Sequence, residues 1–477
     1  MKEYKVKKYL PIKIDFELDF CTNEAKIYTT DELYVLSPLS SELDSDSSSK
    51  KETFLVIEVW TQLDDDDSDF FGNVLLYTRP SVLIILSIIS YLLDHPLTVY
   101  EMSVSETGIA SGDRRPNEIK VSKFVHAQVD KSRDLLRILE VVYEKKESVN
   151  EFVVSLLSRW HKARYLETQD DASLFYEESF LVYFHIIELC SSHYSSQQSK
   201  EAQDQIRRFI RELLSTTLKL RDNQVELVFQ EKYKAVRPIL LADGQISITS
   251  KICYFLDKVK LLDIKTQYFV EQLVKIRNTI AHGRHVNHKI LNWPLPSFFS
   301  INGDVENFIF EIRPFTARLI GAYLSLEAWI DKWADVHSCL HMPPEYVTKF
   351  INDNSFELIT PTDFLKGTIN GVRPSSLVKQ FLSNRIKFQE LEIGLRSFLF
   401  DVEVDEDSAL EIFDAAIVLA DSLDKKLSDR CRSIVVDIHE NDLRFYFNMQ
   451  NLLKEIEQQG VRLIWLREWV ESGGHIS

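Results

Sequence analysis

Hydrophobic spacing changes period once along this chain, near residue 148, and that change limits the folds open to it. Over residues 5–20 apolar side chains alternate with charged ones: Ile12, Ile14, Phe16, Leu18 and Phe20 are separated by Lys13, Asp15, Glu17 and Asp19. A period of two marks a half-buried strand. Residues 26–29, 32–36, 53–60, 97–104 and 118–125 are further strand candidates, and Phe54 to Trp60 is apolar enough to run through the middle of a sheet. Past residue 148 apolar residues recur at three and four instead, the spacing of a helix face. Phe152, Leu156, Trp160 and Tyr165 follow Ser148-Val-Asn-Glu151, which has the form of a capping box. Further helices are expected over 172–194, 203–219, 247–259 and 315–337, the last opened by Arg313-Pro314.

A chain of 477 residues is too long for one core. The pattern predicts an α+β multidomain protein: a β-rich segment 1–147, a helical bundle 148–340 and a mostly helical segment 341–477. In the last, helices are expected over 409–427, 444–456 and 461–470, with a short strand at 433–438. The five cysteines (Cys21, Cys190, Cys253, Cys339, Cys431) are scattered and include no C-x-x-C, which argues against a disulfide or zinc framework and for a reducing cytoplasm. No signal-peptide core opens the chain. The most apolar run, 81–93, is too short to span a bilayer, so a soluble protein with no membrane association is expected. No glycine-rich phosphate loop is present. The acidic runs at 41–52 and 64–69 read as solvated loops, because consecutive carboxylates in an extended chain cannot all turn to one ion. The net charge of −17 means that any surface for nucleic acid must be a local basic patch.

The residues with chemistry lie at the end of one amphipathic stretch, Phe269-Val-Glu-Gln-Leu-Val-Lys-Ile-Arg-Asn-Thr-Ile-Ala-His-Gly-Arg284. Phe269, Leu273, Ile276 and Ile280 form a core stripe. Val270, Val274, Arg277, Asn278, Ala281 and His282 form a second, half-polar face. Gly283 suits a helix C-cap, and a helix C-terminus favours a cation. A guanidinium for phosphate charge and an imidazole for proton transfer suit phosphodiester cleavage. Arg284 and His285 follow at once, and Arg207, Arg208 and Arg211, with Lys219 and Arg221 beyond, form a basic strip that could steer phosphate.

The pattern Arg277-Asn278-x-x-x-His282 resembles the Arg-x(4–6)-His signature of the HEPN superfamily of ribonucleases and RNA-binding proteins. Within it the chain is most similar to the Apea-like branch of anti-phage abortive infection. The resemblance covers roughly residues 149–336. It implies a metal-independent endoribonuclease with Arg277, Asn278 and His282 as catalytic residues; Arg284, His285, Arg207, Arg208 and Arg211 are read from their charge and position as candidate RNA contacts. It implies a dimer with a composite cleft, flanked here by Val270, Val274 and Ala281, and a cytoplasmic setting. It also implies a phage-derived trigger and no cofactor, and it makes the first segment a regulatory or sensor domain. The alternative is a non-catalytic scaffold of the same fold that binds RNA or a protein partner.

The plainer reading is that Arg277 and His282 are helix-surface residues, His282 completing a cap. Metal-binding readings compete through His282, His285 and His288, and through His337-Ser-Cys-Leu-His341. Glu188, within an apolar helix, needs a cationic partner, and Arg277 is one candidate. Trp293, Phe298 and Phe299, in a turn-rich stretch, serve either a local core or base stacking.

Overall fold

The computed structural model describes residues 2–31, 53–63, 70–99, 104–110, 114–169, 175–241, 247–282, 303–382, 385–441, 443 and 463–472. The described chain divides into two compact units, Met1–Lys260 with Asp304–Val336, and Leu261–Gly303 with His337–Ser477. These limits differ from the three segments expected. The stretch holding the Arg-Asn-x-x-x-His motif groups with the C-terminal residues, not with the helices before it.

The first unit opens with an antiparallel sheet of β1 (Lys2–Pro11), β2 (Phe16–Cys21), β3 (Ala25–Thr30), β4 (Phe54–Leu63), β5 (Val104–Ile109), β6 (Lys120–His126) and β7 (Val129–Asp130). Its order is β5-β1-β4-β3-β2-β6-β7. Residues 5–20 are therefore two strands, not one. Pro11 has no N–H for the ladder, and the chain leaves the sheet there. It re-enters at Phe16 beyond β4 and β3, and Phe16, Leu18 and Phe20 are buried while Glu17 and Asp19 face water. β4 is central as expected, with Val59 opposite Val6 on one side and Ile57 opposite Ile27 on the other. The strand expected at 97–104 lies later, at β5. The candidate at 32–36 is outside the described residues.

A helix that the sequence reading took only as a buried run, α1 (Phe70–Leu93), packs on β1 and β4. Its stretch Asn73–Leu93 is long and apolar enough to cross a membrane, and 56% of it is buried inside the fold, as in a core helix. Length thus does not exclude a span, contrary to the argument from 81–93; burial is what marks α1 as a core element. The rest of the unit is α2 (Ser132–Glu144), α3 (Glu147–Glu167), α4 (Tyr176–His193), α5 (Ser195–Glu212), α6 (Asp222–Leu241), α7 (Ile248–Lys258), α9 (Gly303–Leu324) and the greater part of α10 (Ile330–Cys339). The intervening α8 (Ile264–Ala281) belongs to the second unit.

Three expectations here need correction. Lys146, not Ser148, stands at the N-cap of α3, with no side-chain cap bond. Arg313-Pro314 lies inside α9 rather than at its start. The helix expected over 315–337 is two helices, because Ser325 and Trp329 take left-handed backbone between them. The Asp134 carboxylate accepts the N–H groups of Glu327 and Ala328 at that break, at 3.0 and 2.7 Å.

The second unit continues with α11 (Pro344–Asn352), α12 (Pro361–Lys366), α13 (Pro374–Leu382), α14 (Phe388–Asp401), α15 (Glu406–Leu419), α16 (Lys425–Glu440) and α17 (Ile464–Glu471). Its core gathers on α15, buried almost throughout from Ala409 to Ala420. The expected strand at 433–438 is helix: Ile434, Val435 and Ile438 are buried one turn apart on α16, and packing overrides their β-branched preference. The expected helix at 444–456 lies outside the described residues.

Candidate active site

Helix α8 is fixed at its start and exposed at its end. Asp263 is the N-cap, with its carboxylate accepting from the N–H of Thr266 at 2.7 Å. His337 Nε2 meets the same carboxylate at 2.7 Å, and Lys265 donates to the Ser338 carbonyl at 3.2 Å. These hydrogen bonds hold the Asp263 carboxyl down at about 2 against the opposing effect of burial. Phe269, Val270, Leu273 and Val274 then bury one side of the helix.

Val270 is 1% and Val274 9% exposed, so both are spent on packing within this chain and cannot flank a cleft between subunits. Of the residues given that role, Ala281 alone is exposed. The stripe fades toward the C-terminus, where Ile276 and Ile280 are only half-buried.

The last turn presents the motif. Arg277 is half-buried; Asn278 and His282 are exposed. His282 is the C-cap, with φ −98° and ψ 7°, and its N–H donates to the carbonyls of Asn278 and Ile280. At about 100° per residue Arg277 and His282 lie about 140° apart around the axis, too far for two short side chains to share a ligand. The guanidinium of Arg277 closes part of that gap by donating to the Asn278 side-chain oxygen at 3.2 Å. Asn278 lies about 40° from His282. Asn278 and His282 thus share one exposed arc, and the half-buried Arg277 is hydrogen-bonded to Asn278.

Other expected site residues fall elsewhere. Gly283, Arg284, His285, His288, Trp293, Phe298 and Phe299 lie outside the described residues. Arg207 and Arg211 on α5 lean onto α6 rather than pointing straight out: Arg207 pairs with Asp204 at 3.2 Å and stacks on Tyr233, and Arg211 faces Glu226 at 3.6 Å and stacks on Phe229. Arg208, Lys219 and Arg221 are exposed. Glu188 lies 3.8 Å from His185 Nε2, one turn away on its own helix. His337 turns to Asp263, and His341 is held among Lys265 and Lys379, with burial pressing its pKa down to about 3. Two such cations beside His341 oppose a metal ion there. Among the described residues no group of three or more His, Cys, Asp or Glu is gathered as a metal site.

The sequence reading missed a buried ionic cluster in the first unit. Arg164 contacts Asp94 at 3.2 Å and Glu167 at 2.8 Å, and Arg313 meets the same Glu167 oxygen at 3.0 Å. Lys332 closes the set on Asp94 at 2.9 Å. Burial pushes the Glu167 carboxyl up, opposed chiefly by Arg313. The one sequence signal was Arg164 three residues before Glu167 on a helix.

No family model matches this chain, and neither the curated proteins nor the solved structures compared with it give a match.

Proposed function

We propose that the chain is a metal-independent endoribonuclease of the HEPN type, cutting RNA at the end of α8 in anti-phage abortive infection. The observation that carries this reading is the last turn of α8, where Asn278 and His282 are exposed and the Arg277 guanidinium donates to the Asn278 side-chain oxygen at 3.2 Å. His282 serves as general base toward the 2′-hydroxyl or as acid toward the departing 5′-oxygen, since an imidazole carries both forms near neutral pH. Arg277 stabilises the charge that develops on the phosphorane oxygens. Asn278 orients the guanidinium. The products are a 2′,3′-cyclic phosphate and a 5′-hydroxyl. One chain brings one imidazole, so a second copy supplies the second proton-transfer group.

The test is incubation of the purified full chain with labelled RNA in EDTA. Cleavage by the wild type, lost in Arg277→Ala and His282→Ala variants that keep their melting temperature, is the expected result. Equal cleavage by both variants overturns the assignment. Binding without any cleavage points to the scaffold reading, and activity abolished by EDTA points to metal chemistry.

A further inference from the structure

The α5–α6 hairpin carries charge against the sign of the chain. Residues 195–241 include nine Lys and Arg and six Asp and Glu, net +3, whereas the rest of the sequence sums to −20. Its own core is small: Ile206 and Ile210 of α5, and Leu214 in the turn after it, meet Val225, Phe229 and Tyr233 of α6. The charge is not spread evenly about that seam. On one side Arg207 and Arg211 cross from α5, their guanidinia 5.2 Å and 4.2 Å from the ring centres of Tyr233 and Phe229. Arg237 and Lys234 extend the same side of α6, about 40° and about 100° around the axis past Tyr233 and away from Val225. Arg208 stands next to Arg207. All five are exposed. The opposite side of the seam carries Phe209, 59% exposed, with Leu213, Val228 and Ile239, and its cations are Arg221 and Lys232, the latter paired with Glu231 at 3.4 Å.

We propose that this basic flank binds the phosphate backbone of a single RNA strand; the choice of RNA rests on the cleavage reading above. Stacking on a ring fixes the plane of each guanidinium, and a planar fork held in place pairs with phosphate at little further entropic cost. Asp204 and Glu226 each engage one edge of a group that has five N–H donors. Arg207 and Arg211 are four residues apart, about 6 Å along the helix. That makes a ladder suited to successive phosphates of a strand rather than to one small anion. The −20 of the remaining chain repels polyanions elsewhere, so the flank also sets where a strand can land.

The experiment uses the full chain carrying His282→Ala, so that substrate survives, and measures the anisotropy of a fluorescein-labelled single-stranded RNA across a salt series. The hairpin variant is Arg208→Glu with Lys234→Glu and Arg237→Glu, which leaves both stacked arginines in place. The control, Lys145→Glu with Lys146→Glu and Lys366→Glu, changes net charge equally at exposed sites elsewhere. The expected result is Kd raised at least about tenfold in the hairpin variant but not in the control, with the salt slope reduced by about two. Equal effects in both variants, unchanged affinity, or no binding by the parent overturn the proposal. So does a hairpin variant that loses only self-association in sedimentation, because the flank then meets the acidic surface of a second copy. Hairpin-dependent binding without cleavage by the His282-intact chain sinks the nuclease reading and leaves this one standing; cleavage with hairpin-independent binding does the reverse.

Discussion

His337 sets its Nε2 2.7 Å from the carboxylate of Asp263, the same carboxylate that caps the helix ending in His282. One acidic side chain therefore ties the start of α8 both to its own first turn and to the end of α10. Replacing Asp263 by Ala removes an N-cap worth about 1 kcal/mol together with the imidazole contact. Its carboxyl is held at about 2, below its unfolded value, so its stabilisation is present above about pH 4 and is lost as pH falls toward 2. Half of the side chain is open to solvent, which limits that contribution to about 1 kcal/mol. Thermal melts of Asp263→Ala should show a lower melting temperature at pH 7, and the gap to wild type should narrow at pH 3. A constant gap between the two pH values refutes this account.

Arg277 reaches Asn278 rather than His282 directly, so Asn278 is a positioning residue whose loss leaves the reacting groups present but misdirected. Asn278→Ala should lower kcat for RNA cleavage by about 10- to 100-fold. His282→Ala should lower it by at least about 100-fold. Asn278→Asp, which keeps the acceptor, should recover much of the Ala variant's loss. Single-turnover cleavage of labelled RNA in EDTA measures all three, and an Asn278→Ala variant with wild-type rate removes the role assigned to the amide.

Local periodicity carried the sequence reading where the partner of an element was its own neighbour in the chain. β2 and the core stripe of α8 at Phe269 and Leu273 were legible because burial there follows a period. Distant partners were not. Nothing near Leu324 announces a helix break, since the carboxylate satisfying the N–H groups there belongs to Asp134, and Trp329 donates to the Tyr91 carbonyl. The burial of Val270 and Val274 was illegible for the same reason: a half-polar face looks identical whether it meets its own unit or a second copy. The basic residues of α5 were visible as a strip, but α6 was not anticipated, so neither was the stacking of Arg207 and Arg211 on its rings.

Two half-buried histidines make the fold sensitive to mild acid. Burial holds His161 at about 4, although the Leu97 carbonyl opposes this, and holds His341 at about 3 with help from Lys379 and Lys265. Both lie below the unfolded value near 6.5, so the unfolded chain binds more protons between those limits and stability falls as pH drops from about 6.5. Each contributes at most about 1.4 kcal/mol per pH unit. Urea melts from pH 7 to pH 5 should show a falling midpoint. His341→Gln, which cannot be protonated, should flatten that fall while lowering the midpoint at pH 7 only slightly. Parallel pH profiles for the two proteins exclude His341 as a source.

The ionic cluster joins Asp94, just after α1, to the end of α3 and the middle of α9 through side chains that water barely reaches, with the more exposed Lys332 of α10 at its edge. Glu167 is 4% exposed and takes both Arg164, at 2.8 Å, and Arg313, at 3.0 Å. Removing one cation leaves carboxylate charge buried with half its compensation, a change that costs about 3–5 kcal/mol in comparable buried pairs. Removing both charges together costs less, because no ion is left stranded. Arg313→Met should therefore lower the unfolding free energy by about 3 kcal/mol. Adding Glu167→Gln to it should restore part of that loss, giving a coupling of at least about 1 kcal/mol in a double-mutant cycle. Additive effects of the two substitutions would show that Glu167 and Arg313 act separately and that the cluster is only a meeting of independent surface charges.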